Sequence, residues 1–352
     1  MKNTLSKCLS LSHCALLLCS LLLLGLLQGC GTQKEISKSG FYFDTIIKIQ
    51  LYGTSDETYI NECFKLAEKY EKLFSNTIED SDVYRINENA GEFVTVDPET
   101  IELIEKGISY GELSQGKFDI TIGNLSELWN ISEIAKNTNN SDNEVDASVL
   151  PSEEEVLSLL SHVDYKNIVI QDDQVKLTDP ESKLDLGGIA KGYIADKMKE
   201  YLTEAGITSG FINLGGNVLT LGEKSNGSGY NIGIQRPFSQ TGESIVSVQV
   251  KDMSVVSSGV YERYYRIDDK LYHHILDTAT GYPYENELYE VTIISKSSVD
   301  GDALSTTCFA LGLEKGMELI ESLPDTEAIF ITSDEEIHTT SGIGEEIGIT
   351  YY

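Results

Sequence analysis

Three groups of residues in this 352-residue chain have types and spacings that could do chemistry. Asp302 and Thr306 stand four apart in a segment of helical character, so both side-chain oxygens project from one face. Hard oxygens so placed suit Mg²⁺, which keeps waters and substrate phosphates in its other positions. An acidic residue in a first helical turn, followed by a threonine bonded back to its own helix, has the same spacing. Spacing alone favours that plainer reading. His273 and His274 adjoin in a strand-like segment, which sends one ring inward and the other to solvent. Strand histidines are more often packed or exposed than catalytic, although a pKa near about 6.5 suits proton removal from a hydroxyl. The third group is Lys183-Leu-Asp-Leu-Gly-Gly-Ile-Ala-Lys-Gly-Tyr-Ile-Ala-Asp196, read as a strand, a glycine turn and a helix. Glycines there let a ligand approach the backbone, and free N–H groups at a helix start favour anions. A tight strand-to-helix connection needs the same glycines for steric reasons alone.

The elements that must position these residues follow from periodicity. Val175–Leu177 and Leu184–Leu186 are strand-like, and Ile189, Tyr193, Ile194, Met198 and Leu202 recur at helical spacing until Gly206. Ile47, Ile49 and Leu51 alternate with polar residues in a strand within 41–52. Thr54 and Glu57 read as a capping box for a helix with Ile60, Phe64, Ala67 and Phe74 on one face. Asp97-Pro98 opens a helix through Ile101, Ile104 and Ile108, and Ser152 with Glu155 caps another. Asp172-Asp173 and Asp268-Asp269 mark hairpins, and residues 131–150 read as a polar surface loop. Beyond Gly206 the chain is rich in short strands until a helix from about Gly301 to Leu311. With no repeat and no break in composition, the expectation is one mixed α/β (α+β) domain over 41–352, a mixed sheet flanked by helices.

Ahead of that domain, Lys2 and Lys7 precede an apolar run from Ala15 to Leu27. The run is too short to span a bilayer and has the form of a signal-peptide core. Leu27-Gln28-Gly29-Cys30 resembles a lipoprotein cleavage box, with Cys30 as the acylated residue and an unusual glutamine before Gly29. The expectation is a signal peptide at 1–29, a lipidated tether at 30–40, and an extracytoplasmic domain anchored to the membrane by its lipid. Losing 1–29 removes two lysines and no acid, taking the formal charge from −31 to −33. Such a body is a poor partner for nucleic acid or anionic lipid surfaces. An anionic ligand would need a local device that reverses the field, such as a divalent cation or a helix N-terminus. Cys63 and Cys308 remain after Cys30 and sit among apolar neighbours, which marks them as core thiols.

The glycine-rich stretch resembles the signature of the ApbE family, the FAD:protein FMN transferases. Three further blocks agree in order: Gly116-Lys-Phe-Asp-Ile-Thr-Ile-Gly123 with Leu128-Trp129, His274-Ile-Leu-Asp-Thr-Ala-Thr-Gly-Tyr-Pro283, and Asp300-Gly-Asp-Ala-Leu-Ser-Thr306. The resemblance implies Mg²⁺ on Asp302, Thr306 and the backbone carbonyl of Ala190. It implies His274 as base, and flavin contacts from Phe43, Thr77, Lys117, Phe118, Asp119, Gly187, Tyr193 and Ile275. Thr77 stands where an aromatic is expected, and Ile120, Asn124 and Thr278 replace expected prolines. Asp300 is assigned to helix capping. The implied reaction is Mg²⁺-dependent transfer of FMN from FAD to a Thr or Ser hydroxyl, with AMP leaving. Implied acceptors are extracytoplasmic domains of Rnf- or Nqr-type redox proteins. The same site with water as nucleophile would be a FAD pyrophosphatase giving FMN and AMP. A site without chemistry would make a FAD-binding lipoprotein.

The tether is directly testable. Cys30→Ser should move the protein from the membrane fraction to the soluble one while leaving activity in vitro intact. Retention of Cys30→Ser in the membrane would point to an uncleaved apolar anchor.

Overall fold

The computed structural model describes residues 34–138 and 143–352, so segment 1–29 and Cys30 lie outside the described residues. In chain order, β1 (Glu35–Tyr42) and β2 (Thr45–Tyr52) precede α1 (Thr58–Phe74), α2 (Asp82–Glu88), β3 (Val94–Thr95) and α3 (Pro98–Leu113). Then come α4 (Gly123–Trp129), α5 (Ile131–Asn137), α6 (Glu153–Leu160), β4 (Ile168–Gln171) and β5 (Gln174–Leu177). The central segment holds α7 (Ala190–Glu204), β6 (Ser209–Leu214), β7 (Asn217–Gly222), β8 (Tyr230–Gln235), β9 (Ser244–Val250) and β10 (Ser254–Gly259). Last are β11 (Tyr264–Ile267), β12 (Lys270–His273), β13 (Leu288–Ser295), α8 (Ser298–Leu311), α9 (Leu313–Glu321), β14 (Thr326–Thr332), β15 (Ile337–Thr339) and β16 (Gly348–Tyr351).

Eight strands form one antiparallel sheet in the order β1-β2-β6-β7-β10-β13-β14-β15. Helical side chains Ile60, Ala67, Ile194, Met198 and Phe309 share one core with Ile47, Ile49 and Leu51 of β2. A three-stranded sheet, β16-β9-β8, buries Val246 and Val248 against Val255, Ile294, Ile329 and Ile331. Alternate residues of β13 and β14 therefore face two cores, which is why both strands read as nearly continuous apolar runs. The mixed α+β expectation holds, with the large sheet antiparallel throughout rather than mixed. The hairpins turn at Asp172-Asp173 and Asp268-Asp269, and Ser152 and Glu155 form their capping box. Cys63 and Cys308 are buried free thiols.

Several local expectations are corrected. Residues 35–40, assigned to the tether, belong to β1, whose even positions are half-buried while its odd positions face outward. Polar side chains suit the edge of a sheet, so the strand lacks apolar alternation. Phe43 and Asp44 are not in a strand; both have positive φ and form the β1–β2 turn. The Thr54–Glu57 capping box does not form: Asp56 accepts the Thr58 N–H at 2.9 Å instead. Ile131–Asn137 is helical rather than loop. Leu184–Leu186 joins no strand. It is held to the loop before α4 by the Asp185 N–H on the Ile120 carbonyl at 2.8 Å and by the Ile122–Lys183 bridge.

Helices α7 and α8 cross at Gly192, where a Cβ would lie 2.3 Å from the Ser298 carbonyl oxygen. Alanine would favour the helix intrinsically by about 0.5–1 kcal/mol, but a backbone clash of this kind costs about 1–3 kcal/mol or more. The clash wins. Gly192→Ala should lower stability in urea unfolding, and an unchanged midpoint would show that the helices do not meet this closely.

Candidate active site

One cavity gathers most of the residues singled out from the sequence. It has an interior of about 270 Å³ and opens to solvent. One wall comes from α7, α8 and β10. Because Gly192 has no side chain, α8 comes close enough for the buried Asp302 carboxylate to accept the Gly192 N–H at 2.9 Å. The start of α7 thus holds an anion from its own protein, where an open ligand site was conceivable. The other Asp302 oxygen lies 3.5 Å from Lys191 Nζ, which also donates to the Gly187 carbonyl at 3.1 Å. Thr306, one turn along α8, has its hydroxyl 3.2 Å from Ser258 Oγ. Ala190 is the buried first residue of α7. Among the described residues no cluster of three or more His, Cys, Asp or Glu could hold a metal; the set here is one carboxylate, one hydroxyl and a carbonyl.

Asp300 does not cap α8. Ser297 does, and the two N–H groups that follow, of Ser298 and Val299, bond to Asp196 of α7 at 2.9 Å each. Asp300 instead accepts Lys106 Nζ at 2.7 Å and Tyr110 Oη at 2.9 Å, tying α8 to α3. Burial would raise its pKa, but Lys106 and Tyr110 hold it below the usual carboxylate value.

The facing wall is built from segment 117–132, a loop followed by α4 and the start of α5, and from loop 274–278. Thr278 Oγ1 donates to the Gly116 carbonyl at 2.7 Å, and Trp129 Nε1 donates to the Gly281 carbonyl at 2.7 Å, so the loops are locked together. Lys117, Phe118, Asp119, Gly187 and Ile275 all line the cavity. Phe118 sits over Gly188, where an added Cβ would approach its ring to 3.2 Å. The Asp119 carboxylate is consumed by protein donors, accepting Thr121 N and Oγ1 within its loop and the N–H of the distant Tyr165.

The two histidines separate as the strand ends. His273, the last residue of β12, is buried: Nε2 donates to the Tyr284 carbonyl at 2.9 Å, and Nδ1 accepts the Ile275 N–H at 3.3 Å. His274 lies past the strand, half-buried at the cavity wall. Its Nδ1 faces the Arg263 carbonyl at 3.3 Å. A carbonyl only accepts, so Nδ1 carries the proton and Nε2 keeps a free lone pair. Burial, followed by the charge of Arg263, pushes its pKa down to about 3. Burial pushes His273 to about 4.

Phe43, Thr77 and Tyr193 are not among the cavity-lining residues. Phe43 donates its N–H to Glu71 at 2.6 Å, and Thr77 Oγ1 lies 3.1 Å from Ser75 Oγ. Tyr193 is buried against Tyr70 and Phe74, with its hydroxyl donating to Glu102 at 2.7 Å.

The structure adds residues that the sequence reading gave no role. Lys191 and Arg263 join the expected Lys117 to put three cations on the wall of a strongly acidic protein. Strand β10 pairs with β7 only at Ser254 and Val255, so Val256, Ser257 and Ser258 leave that ladder and reach the cavity. Asn217 is buried there with no partner for its Nδ2. Ser254 Oγ donates to Ser298 Oγ, which donates to Asn217 Oδ1 at 2.8 Å, and this chain turns the amide N–H₂ away from α8. The short Asn-Val-Leu-Thr strand and the glycine pair before it were the available signal.

The profile of the ApbE family matches residues 43–330. The chain belongs to the ApbE family. It is 36% identical over 308 residues to the FAD:protein FMN transferase of Klebsiella pneumoniae, covering 87% of this chain and 92% of that protein. The corresponding Treponema pallidum protein is 30% identical over 353 residues, with 95% and 94% covered. Among solved structures, the ApbE protein of Thermotoga maritima superposes with a TM-score of 0.76 at 31% identity, covering 88% of this chain and 97% of that one. The flavin transferase ApbE of Vibrio cholerae has a TM-score of 0.76 at 25% identity, with 88% and 98% covered. Within this ApbE-family chain, the four sequence blocks therefore meet at one cavity.

The depressed pKa values set a pH dependence. Between about pH 4 and 6.5 the unfolded chain protonates its histidines while folded His273 and His274 stay neutral, so stability falls as pH falls through that window. NMR of the ligand-free protein should find the His274 ring neutral from pH 5 to 8. A midpoint near about 6.5 would contradict the depression that desolvation and the Arg263 charge impose on this ring.

Proposed function

We propose that this protein is an FAD:protein FMN transferase that moves FMN from FAD to a threonine or serine hydroxyl of an acceptor protein and releases AMP. The observation that carries the reading is a neutral His274 with Nε2 free, in the same cavity as Asp302, Thr306, Lys191 and Arg263. Lys117, Lys191 and Arg263 attract the diphosphate that the protein's net charge repels. The acceptor hydroxyl oxygen attacks the phosphorus of the FMN half, its proton passes to His274 Nε2, and the phosphoanhydride bond to AMP breaks. The new bond is a phosphoester between FMN and the acceptor side chain. Phosphoryl charge close to the imidazole raises the basicity that burial and Arg263 depress in the free protein.

The oxygens of Asp302, Thr306 and Ala190 fit Mg²⁺ in kind. A positive charge, the Lys191 ammonium, already sits between the Asp302 carboxylate and the Gly187 carbonyl. Bound there, Mg²⁺ would offset charge developing on the phosphoryl oxygens. Rnf- or Nqr-type extracytoplasmic domains are the proposed acceptors, and a lipid on Cys30 would hold the enzyme at the membrane beside them.

Mass spectrometry of enzyme, FAD, Mg²⁺ and an acceptor domain tests the reaction: the acceptor should gain FMN as AMP appears. Free FMN with an unmodified acceptor would assign water as the nucleophile. His274→Ala should slow transfer by about 10²–10⁴-fold with FAD binding nearly intact. Asp302→Ala should abolish transfer at ordinary Mg²⁺ and recover partly at high Mg²⁺ or with Mn²⁺. Thr306→Ala should need only moderately more Mg²⁺, since water can replace a hydroxyl ligand. Full activity of Asp302→Ala in chelator would remove the metal from the mechanism.

A further inference from the structure

Glu290 is a carboxylic acid fully buried in the interior strand β13, and among the described residues it has no Lys, Arg or His partner. Tyr261 Oη donates to its Oε2 at 2.9 Å and Thr292 Oγ1 lies 3.1 Å from its Oε1. Thr292 Oγ1 is in turn 2.7 Å from Ser257 Oγ, its cross-strand neighbour on β10. Ser257 lines the cavity, because β10 has left β7 at that point. The reaction described above does not use this hydrogen-bonded line from a buried acid to the cavity wall.

Each hydroxyl in the line has one proton, so the state of the acid decides which way every bond points. An ionised Glu290 only accepts: Thr292 gives it its proton, Ser257 gives its own to Thr292, and lone pairs face the cavity. A Glu290 protonated on Oε1 donates to Thr292, Thr292 donates to Ser257, and the Ser257 proton is free to point into the cavity. A phosphoryl oxygen there requires a donor.

We propose that Glu290 is a positioning residue for the bound nucleotide: in its neutral form it turns the Thr292–Ser257 line so that Ser257 donates a hydrogen bond to a phosphoryl oxygen of FAD. The inference rests on the cavity being the FAD site. Burial raises the carboxyl pKa to about 7, so the neutral form is present at working pH. The titratable groups that bear on Glu290 are Tyr261 and Glu262, both from the loop after β10. Its strand neighbours Gly259 and Ile331 carry no charge.

The dissociation constant of FAD, followed by flavin fluorescence at fixed Mg²⁺ from pH 6 to 9, tests the relay. In the unaltered protein it should rise about tenfold across this range, the worth of one hydrogen bond to a charged group. Glu290→Gln, whose Nε2 can donate to Thr292 at every pH, should remain tight and flat. Ser257→Ala should be weak and flat. Thr292→Val, close in shape, should also lose the slope. A slope that survives in Glu290→Gln but disappears in Glu262→Gln would assign the titration to the cavity mouth and overturn the proposal. So would tight, pH-dependent binding by Ser257→Ala. If the unaltered protein binds no FAD at pH 6, the assignment of the cavity to FAD fails, separately from the relay.

Discussion

The site depends on one close approach, the crossing of α7 and α8 at Gly192. Any side chain there would meet the Ser298 carbonyl or the Val299 backbone. Without one, the Asp302 carboxylate reaches an N–H in the first turn of α7, and both helices are fixed in register. That bond does two jobs: it satisfies a buried charge, and it presents the second Asp302 oxygen to the cavity beside Lys191. Asp196 makes the reciprocal connection, since its carboxylate on α7 takes the first two N–H groups of α8. Each helix start is therefore closed by a carboxylate from the other helix.

This arrangement bears on how an acidic protein holds an anion. Helix N-termini are ready anion sites, yet here the protein's own Asp196 and Asp302 fill them, and Asp119 is bound within its loop. The remaining attraction comes from side chains, Lys117, Lys191 and Arg263, supported by neutral donors such as Asn217 Nδ2. Carboxylates that accept backbone hydrogen bonds are fixed in place and cannot swing toward the ligand. The net charge of −31 is thus countered locally by three cations, although Asp185 and Glu262 line the same cavity.

The two histidines divide one task between them. His273 uses both ring nitrogens on backbone groups, which pins the chain just after β12 and sets where His274 points. His274 uses only Nδ1, leaving the Nε2 lone pair without a protein partner at the cavity wall. Their separation into a buried ring and a cavity-facing ring comes from the end of the strand as much as from alternation within it.

What the sequence determined by itself was local and patterned. The hairpin turns, the Ser152–Glu155 box and the helices near 98, 190 and 301 were legible because propensity and spacing are short-range properties, whereas the blocks around Asp119, Gly187, His274 and Asp302 were legible as a site only through their resemblance to the ApbE family. Tertiary structure decided the rest. Edge strand β1 was hidden by its polar outward side chains, and the capping role of Asp196 by its separation of 102 positions from Ser298. Tyr193 matched a flavin-contact position, yet its ring packs between Tyr70 and Phe74, which only the docking of α1 on α7 determines. Ser257 and Asn217 became site residues because β10 parts from β7 and opens a gap in the sheet. Which residues border such a gap depends on non-local strand pairing, and no residue's own type or near neighbours record it.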